Sequence, residues 1–417
     1  MGRPLLVHAG RLIDGTGSGP IAGATLVIED GRICSVHGPG QESPAPPDAE
    51  VIDATGQTVL PGLVDSHVHL CFSAGPEPLA DALRESEPQQ LLRAAGNAQQ
   101  ALAAGITTVR DCGGLDGATL ALRDALDAGV IVGPRLQAAG PPLTTTAGHL
   151  HFCGLEVQGV DDLRRAVRQL HKRRVDYIKV MVTGGYMTPR TNPFALQYTP
   201  AELSAIADDA HRLGLRVAGH IASIPGIRAG LDAGLDTFEH CVWHDQTAPG
   251  VLRYDAALGA AMARQGCGVG LTIGGGERQL AQSVAAGESL PLAALPRLEA
   301  LTHIHEQMRA DGVVLACHSD AGTVGCTFGG LALSVAALVR LYQWNPLAAI
   351  TAVTGTAAQV MGLADDVGTL TAGRRADLIV VDGDPSVTPE ALLQVDRVLL
   401  SGRTVARHGH LLLTHRD

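Results

Sequence analysis

Leu60-Pro61-Gly62-Leu63-Val64-Asp65-Ser66-His67-Val68-His69-Leu70 is a short apolar run that ends in two histidines one residue apart. Side chains at i and i+2 of a strand point to the same face, so His67 and His69 offer their imidazoles to one point while Val68 faces away. Imidazole is the commonest protein ligand of a catalytic metal, and a pair this tight suits a metal at the mouth of a barrel. Alone, a His-x-His segment reads equally well as two polar residues at a strand end, so the rest of the chain has to decide.

From about residue 60 to 360 the pattern is strand followed by helix, repeated. Helix-like 94–104 leads to a strand at 105–111, 120–128 to one at 135–139, and 161–173 to one at 177–182. Thr199-Pro200-Ala201-Glu202 opens the next helix, with Thr199 as N-cap and proline in the first position, and leads to a strand at 216–220. A helix over 224–233 precedes 237–240, and 269–272 and 313–316 are the last strand candidates. Eight alternations over 61–360 predict an α/β fold, a (β/α)8 TIM barrel, whose active site lies at the C-terminal strand ends. Before it, residues 5–60 alternate like strands of a small sheet, with Asp14-Gly15-Thr16-Gly17 and Glu29-Asp30-Gly31 as turns. After 360, short strands return at 368–370, 377–381, 398–402 and 410–413. The economical picture is a small β-sandwich built from both chain ends, 1–60 and 361–417, clasping the barrel; the proline-rich 42–48 is predicted as a surface loop.

Composition narrows the function. A chain of 417 residues with 46% hydrophobic and 18% charged residues is globular and long enough for one large core plus a small module. A net charge of −11 without a basic stripe, and only 3% aromatics, argue against nucleic acid as a partner. No apolar run reaches the length of a membrane span, and residues 1–8 carry no signal-like segment. The eight cysteines are scattered without a Cys-x-x-Cys pair and read as reduced, mostly buried thiols. The expectation is a soluble cytoplasmic protein acting on a small molecule, with no membrane partner; a homo-oligomer is compatible with a barrel of this size.

Chemistry-bearing residues recur where strands end. The first strand ends in His67 and His69, the fourth carries Lys179, the fifth ends in His220, the sixth in His240, and the eighth in Asp320 within His318-Ser319-Asp320-Ala321-Gly322. Singly, Lys179 reads as a snorkelling lysine and Asp320 as a helix N-cap. Together the six form a constellation, and with it the sequence resembles the amidohydrolase superfamily, in its binuclear-metal, carboxylated-lysine branch. It is most similar to imidazolonepropionase-related and Xaa-Pro dipeptidase-like members. The matching text is the opening run through His69, Ile178-Lys179-Val180 before Thr183-Gly184-Gly185, Gly219-His220, Phe238-Glu239-His240, Ser319-Asp320-Ala321-Gly322, and Gly368-Thr369-Leu370-Thr371-Ala372-Gly373 with Ala376-Asp377-Leu378.

The resemblance implies that His67, His69 and Asp320 hold the more buried of two divalent metals, that His220 and His240 hold the second, and that Lys179 bridges both as a carbamate made with CO2. A protonated lysine repels a dication, whereas its carbamate is a bidentate anion; burial and nearby cations lower a lysine pKa in general and free the amine to react. The metals would acidify a bridging water and polarise the scissile carbonyl, and Asp320 would take the water's proton and pass it to the leaving amine. Zinc is the default metal, although such sites also accept cobalt, manganese or nickel.

Substrate contacts are expected from two loops. Leu143-Thr144-Thr145-Thr146-Ala147-Gly148-His149-Leu150-His151 resembles the family's third-loop His-x-His segment, with His149 favoured over His151. Thr183 to Pro193 is rich in glycine and proline and offers Tyr186 as a hydrogen-bond donor and Arg190 as a bidentate carboxylate partner. Gly274-Gly275-Gly276-Glu277-Arg278 lacks the context of a phosphate loop and is expected to let the seventh loop fold close to the pocket. His244 is a candidate pocket residue and His318 a structural hydrogen-bonder, while His303, His305, His415 and the other end-strand and helix histidines are assigned to the surface. The expected function is a binuclear metal-dependent amidohydrolase cleaving a C–N bond in an N-acyl amino acid or dipeptide with a free carboxylate. The alternatives are hydrolysis of a cyclic amide, urea, carbamate or phosphotriester on the same centre, a weaker deaminase reading, and a non-catalytic binding protein on the same barrel.

Overall fold

Leu63–Val68 (β1) is buried at every residue, as a strand covered on both faces must be. It starts one residue after the long strand Glu50–Pro61, so the chain passes directly from a terminal sheet into the catalytic framework. The computed structural model describes residues 3–41, 48–115, 117–248 and 250–412. The proline-rich loop at 42–48, apart from Asp48, lies outside the described residues, as do Leu413 and His415.

The chain folds as an α/β protein with parallel sheets. β1 pairs in parallel with Ile106–Asp111 (β2), which pairs with Arg135–Ala138 (β3). A second parallel sheet runs through Ile178–Met181 (β4), Val217–Ser223 (β5), Thr237–His244 (β6), Gly268–Thr272 (β7) and Val314–His318 (β8). Helices alternate with these strands. The one at Pro200–Arg212 begins as its sequence reads: the Thr199 side chain accepts from the Glu202 amide, the Glu202 carboxylate accepts from the Thr199 amide at 2.8 Å, and proline opens the helix. Backbone bonds link the two sheets on both sides. On one side the His69 amide donates to Ala321 (2.7 Å) and the Asp320 amide to His67 (3.1 Å); on the other, the Asp176 amide donates to Ala138 (3.0 Å).

Between β7 and β8 lie two helices that the sequence pattern does not announce, Gly275–Ala285 (α1) and Leu295–Ala310 (α2). The apolar residues Leu295, Leu298, Leu301 and Ile304 recur every third residue, so they drift round the helix instead of holding one face.

Both chain ends build one continuous sheet of eight strands. Glu50–Pro61 lies at its centre, parallel to Leu5–Leu12 and antiparallel to Leu378–Val381. Alternate residues such as Leu5, Val7, Leu26, Ile28, Ile52, Leu378, Val380 and Leu399 form a core of its own, separate from the main one. No described helix is long and apolar enough to cross a membrane. All eight cysteines are free, and every one except Cys34 is buried.

One ion pair ties the terminal sheet to the parallel strands. Buried Asp377 receives Arg135 of β3 at 2.5 and 3.0 Å and the Ser401 amide at 2.7 Å. Asp377→Ala removes the acceptor of all three bonds, leaving Arg135 only the Ser401 hydroxyl (2.7 Å), and is expected to cost about 2–4 kcal/mol, measured by urea denaturation; a loss below about 0.5 kcal/mol would mean that the clasp carries little.

Candidate active site

His67 and His69 meet as the strand period requires. Their Nε2 atoms lie 3.4 Å apart, and Val68 packs into the core on the other side. Each ring is oriented from behind: His67 Nδ1–H donates to the Glu239 carboxylate at 3.0 Å and His69 Nδ1–H to the Gly113 carbonyl at 2.9 Å. These bonds fix the tautomers and turn both Nε2 lone pairs inward. Asp320 Oδ1 completes the convergence at 3.5 and 3.6 Å and has no hydrogen-bond partner of its own. Three acceptor atoms facing one another with no donor between them repel, unless a cation sits among them.

The next residues close around that point. Lys179 on β4 is 1% exposed, and its Nζ has no hydrogen-bond partner. His220 at β5 donates through Nε2 to the Gly184 carbonyl (3.2 Å), and His240 on β6 pairs its Nδ1 with the Thr272 hydroxyl (2.6 Å). The His220 ring lies 4.5 Å from His240 and 4.4 Å from His149. Burial first, and then the neighbouring positive charges, hold His67, His220 and His240 far below the usual imidazole range and lower His69 as well. His149 is pushed down to about 3 for the same reasons. A set of neutral imidazoles is the form that binds metal. Burial raises Asp320 to about 6.

Asp320 is held in an unusual backbone. Its φ is +53°, and His240 (+68°), Cys241 (+45°) and Trp243 (+63°) at the end of β6 share the left-handed region. Non-glycine residues there cost of order 1–3 kcal/mol each and gather at functional sites. Around the Asp320 turn, Ser319 donates its amide to Asp65 (3.0 Å), and buried Arg278 donates to the carbonyls of Ser319 (2.5 Å) and Ile273 (3.0 Å). A Cβ on Gly322 would lie 2.3 Å from the His69 carbonyl, and one on Gly185 would lie 2.5 Å from the His149 ring, so both approaches need glycine.

A cavity of about 460 Å³ opens over these groups. His67, His69, Lys179, His220, His240, Asp320, His149 and Tyr186 all line it. His151 and Arg190 are exposed and do not. Residues 147–153 form successive turns, with His151 bonded to Gly148 and Cys153 to Leu150, so the alternation that pairs His67 with His69 does not apply there. His244 is buried and accepts or donates a 2.9 Å bond with the Tyr186 hydroxyl. His305, assigned to the surface from sequence, is 4% exposed and lines the cavity from α2.

Glu239 is the residue that sequence reasoning passed over. It is wholly buried, and Arg110, 3% exposed, donates to its Oε1 at 2.7 Å while His67 holds Oε2. Arg110 also donates to the Ser66 carbonyl at 2.7 Å. His67, Glu239 and His318 form a second group with metal-like spacing, but both carboxylate oxygens of Glu239 are already engaged. The group His67, His69 and Asp320 is the better candidate for a cation.

A profile of the amidohydrolase family matches residues 58–405. The chain belongs to the amidohydrolase family. It is accordingly a hydrolase of carbon–nitrogen bonds acting on small molecules. The amidohydrolase is 29% identical over 416 residues to an ochratoxinase of Aspergillus niger, covering 91% of this chain and 81% of that one. It is also 29% identical over 414 residues to an imidazolonepropionase of Rubrobacter xylanophilus, covering 91% and 92%. Among solved structures, a Xaa-Pro dipeptidase with methionine bound in its active site superposes with a TM-score of 0.80 at 26% identity, over 96% of this chain and 99% of the other.

In this amidohydrolase, Glu239→Ala would leave the Arg110 guanidinium buried without a counter-charge, so a loss of about 3–5 kcal/mol is expected in denaturation of metal-stripped protein. Glu239→Gln, which keeps the shape, should cost less. Equal, small effects of both would show that the ion pair does not organise the site.

Proposed function

We propose that this amidohydrolase hydrolyses the amide of an N-acyl amino acid or dipeptide with a free carboxylate, using two divalent metal ions. The carrying observation is the convergence of His67 Nε2, His69 Nε2 and Asp320 Oδ1 beside a buried Lys179 Nζ that has no partner. His67, His69 and Asp320 would hold one ion, His220 and His240 the other, and Lys179, carboxylated by CO2, would serve both. Bound there, the ions would supply Lewis-acid polarisation of the carbonyl and acidify a water. Zinc fits a histidine-rich donor set.

The chain's own residues account for the proton traffic. Asp320, whose burial raises it to about 6, is suited both to accept a proton from the attacking water and to release it to the departing amine. Water adds to the carbonyl carbon, the C–N bond breaks, and the products are a carboxylate and an amine. His149, neutral and lining the cavity, would donate a hydrogen bond to the substrate carbonyl. The amide reading is favoured by the Xaa-Pro dipeptidase and ochratoxinase likenesses. The β1–β3 and β4–β8 sheets together are read as one closed (β/α)8 barrel over 61–360, on the strength of the backbone bonds at both seams, with residues 1–60 and 361–417 as a terminal β module built on one sheet rather than the two of a sandwich.

Metal content by mass spectrometry is the direct test. Roughly two ions per chain, falling to one or fewer in Lys179→Ala, is the expected result; one ion in both proteins would remove Lys179 from the site. Asp320→Asn should lower kcat by about 10²–10⁴-fold, and an activity within a few-fold of wild type would exclude Asp320 as the proton carrier.

A further inference from the structure

One wall of the cavity is made by α2. Arg297, Leu301 and His305 are spaced four residues apart and share one face of that helix. Arg297 and His305 stand about 12 Å apart along the axis. His305 lies inside, 4% exposed, and its Nδ1 has no hydrogen-bond partner. Arg297 lies at the exposed rim. Lys179 and Arg297 are the only lysine and arginine among the described residues that line the cavity, and no carboxylate of the described residues pairs with Arg297. Glu277 of α1 shares this wall without forming an ion pair with it. The charge of Arg297 is felt by Tyr186 and by its hydrogen-bond partner His244: burial lowers His244 and Arg297 adds to that, whereas burial raises Tyr186 and Arg297 opposes it.

An unpaired guanidinium at the mouth of a cavity is a ready partner for a carboxylate, which it can bind through two parallel hydrogen bonds. Arg190, the arginine singled out from sequence, is exposed and does not line this cavity. We propose that Arg297 is the specificity residue of this amidohydrolase and receives the free carboxylate of its substrate, on a recognition face of α2 that also carries His305. The assignment rests on the reading of the substrate as an N-acyl amino acid or dipeptide.

The test compares N-acyl-L-amino acids with their C-terminal methylamides, using metal-loaded wild type, Arg297→Ala and Arg297→Lys. Wild type should prefer the acids. Arg297→Ala should raise KM for the acids about 10- to 100-fold, leave their kcat within about 2-fold, and leave the methylamides unchanged. Arg297→Lys should recover part of the loss. If wild type prefers the acids but Arg297→Ala affects both series alike or neither, the carboxylate is bound elsewhere and only the assignment of Arg297 falls. If wild type shows no preference for the acids, or cleaves neither series, the free-carboxylate reading falls and Arg297 with it.

Discussion

Arg110 and Glu239 are taken out of water together, and the geometry of the site depends on that pairing. Desolvating each ion costs several kcal/mol, which only close pairing and full hydrogen bonding can offset. Both conditions are met: the guanidinium spans the Glu239 carboxylate and the Ser66 carbonyl, and the second carboxylate oxygen takes the His67 Nδ1–H. Ser66 is on β1, Arg110 on β2 and Glu239 on β6. One buried ion pair therefore sets three strands and orients the first ligand-type imidazole, and β6 carries His240 as the next residue after Glu239. The interior chemistry is positional: a neutral imidazole presents the correct nitrogen because a carboxylate behind it leaves no alternative.

Much of this was legible in the sequence, because strand ends obey a simple rule. His67 and His69 converge by the two-residue period, and Lys179, His220, His240 and Asp320 fall at equivalent points of other strands. The rule fails where the backbone leaves the strand. His151 turns to solvent because Ala147 and Leu150 adopt positive φ (+55° each) within a run of turns, and Arg190 is turned by its own φ of +67°. The α1–α2 wall was hidden for a different reason. The apolar residues of α2 recur every third position, so the two-faced pattern that announces a surface helix is blurred; Arg297 and Leu301 went unread, and His305 was assigned to the surface. Glu239 stood in plain view as part of Phe238-Glu239-His240, yet nothing in a single sequence says that a carboxylate at that place is buried against Arg110.

The strained residues belong to the same design. At His240, Cys241 and Trp243, and again at Asp320, the chain takes conformations that glycine would accept more readily. The surrounding structure over-determines them: Trp243 is fully buried against Tyr254, with ring centroids 4.6 Å apart, and Arg278 grips the Ser319 carbonyl just ahead of Asp320. Rigid packing thus holds the functional side chains in positions that a relaxed strand end would not give them.

The central strand of the terminal sheet has a consequence for assembly. Glu50–Pro61 is paired on one side by Leu5–Leu12 and on the other by Leu378–Val381, whose Leu378 sits opposite Pro61. That second partner leaves the ribosome more than three hundred residues after the first. Until it arrives, the strand that feeds β1 has an open edge, a template for pairing with another chain. The histidines of β1 are thus made early, but the sheet that anchors them waits for Leu378–Val381, so one edge of its central strand stays unguarded while the whole catalytic framework is being synthesised.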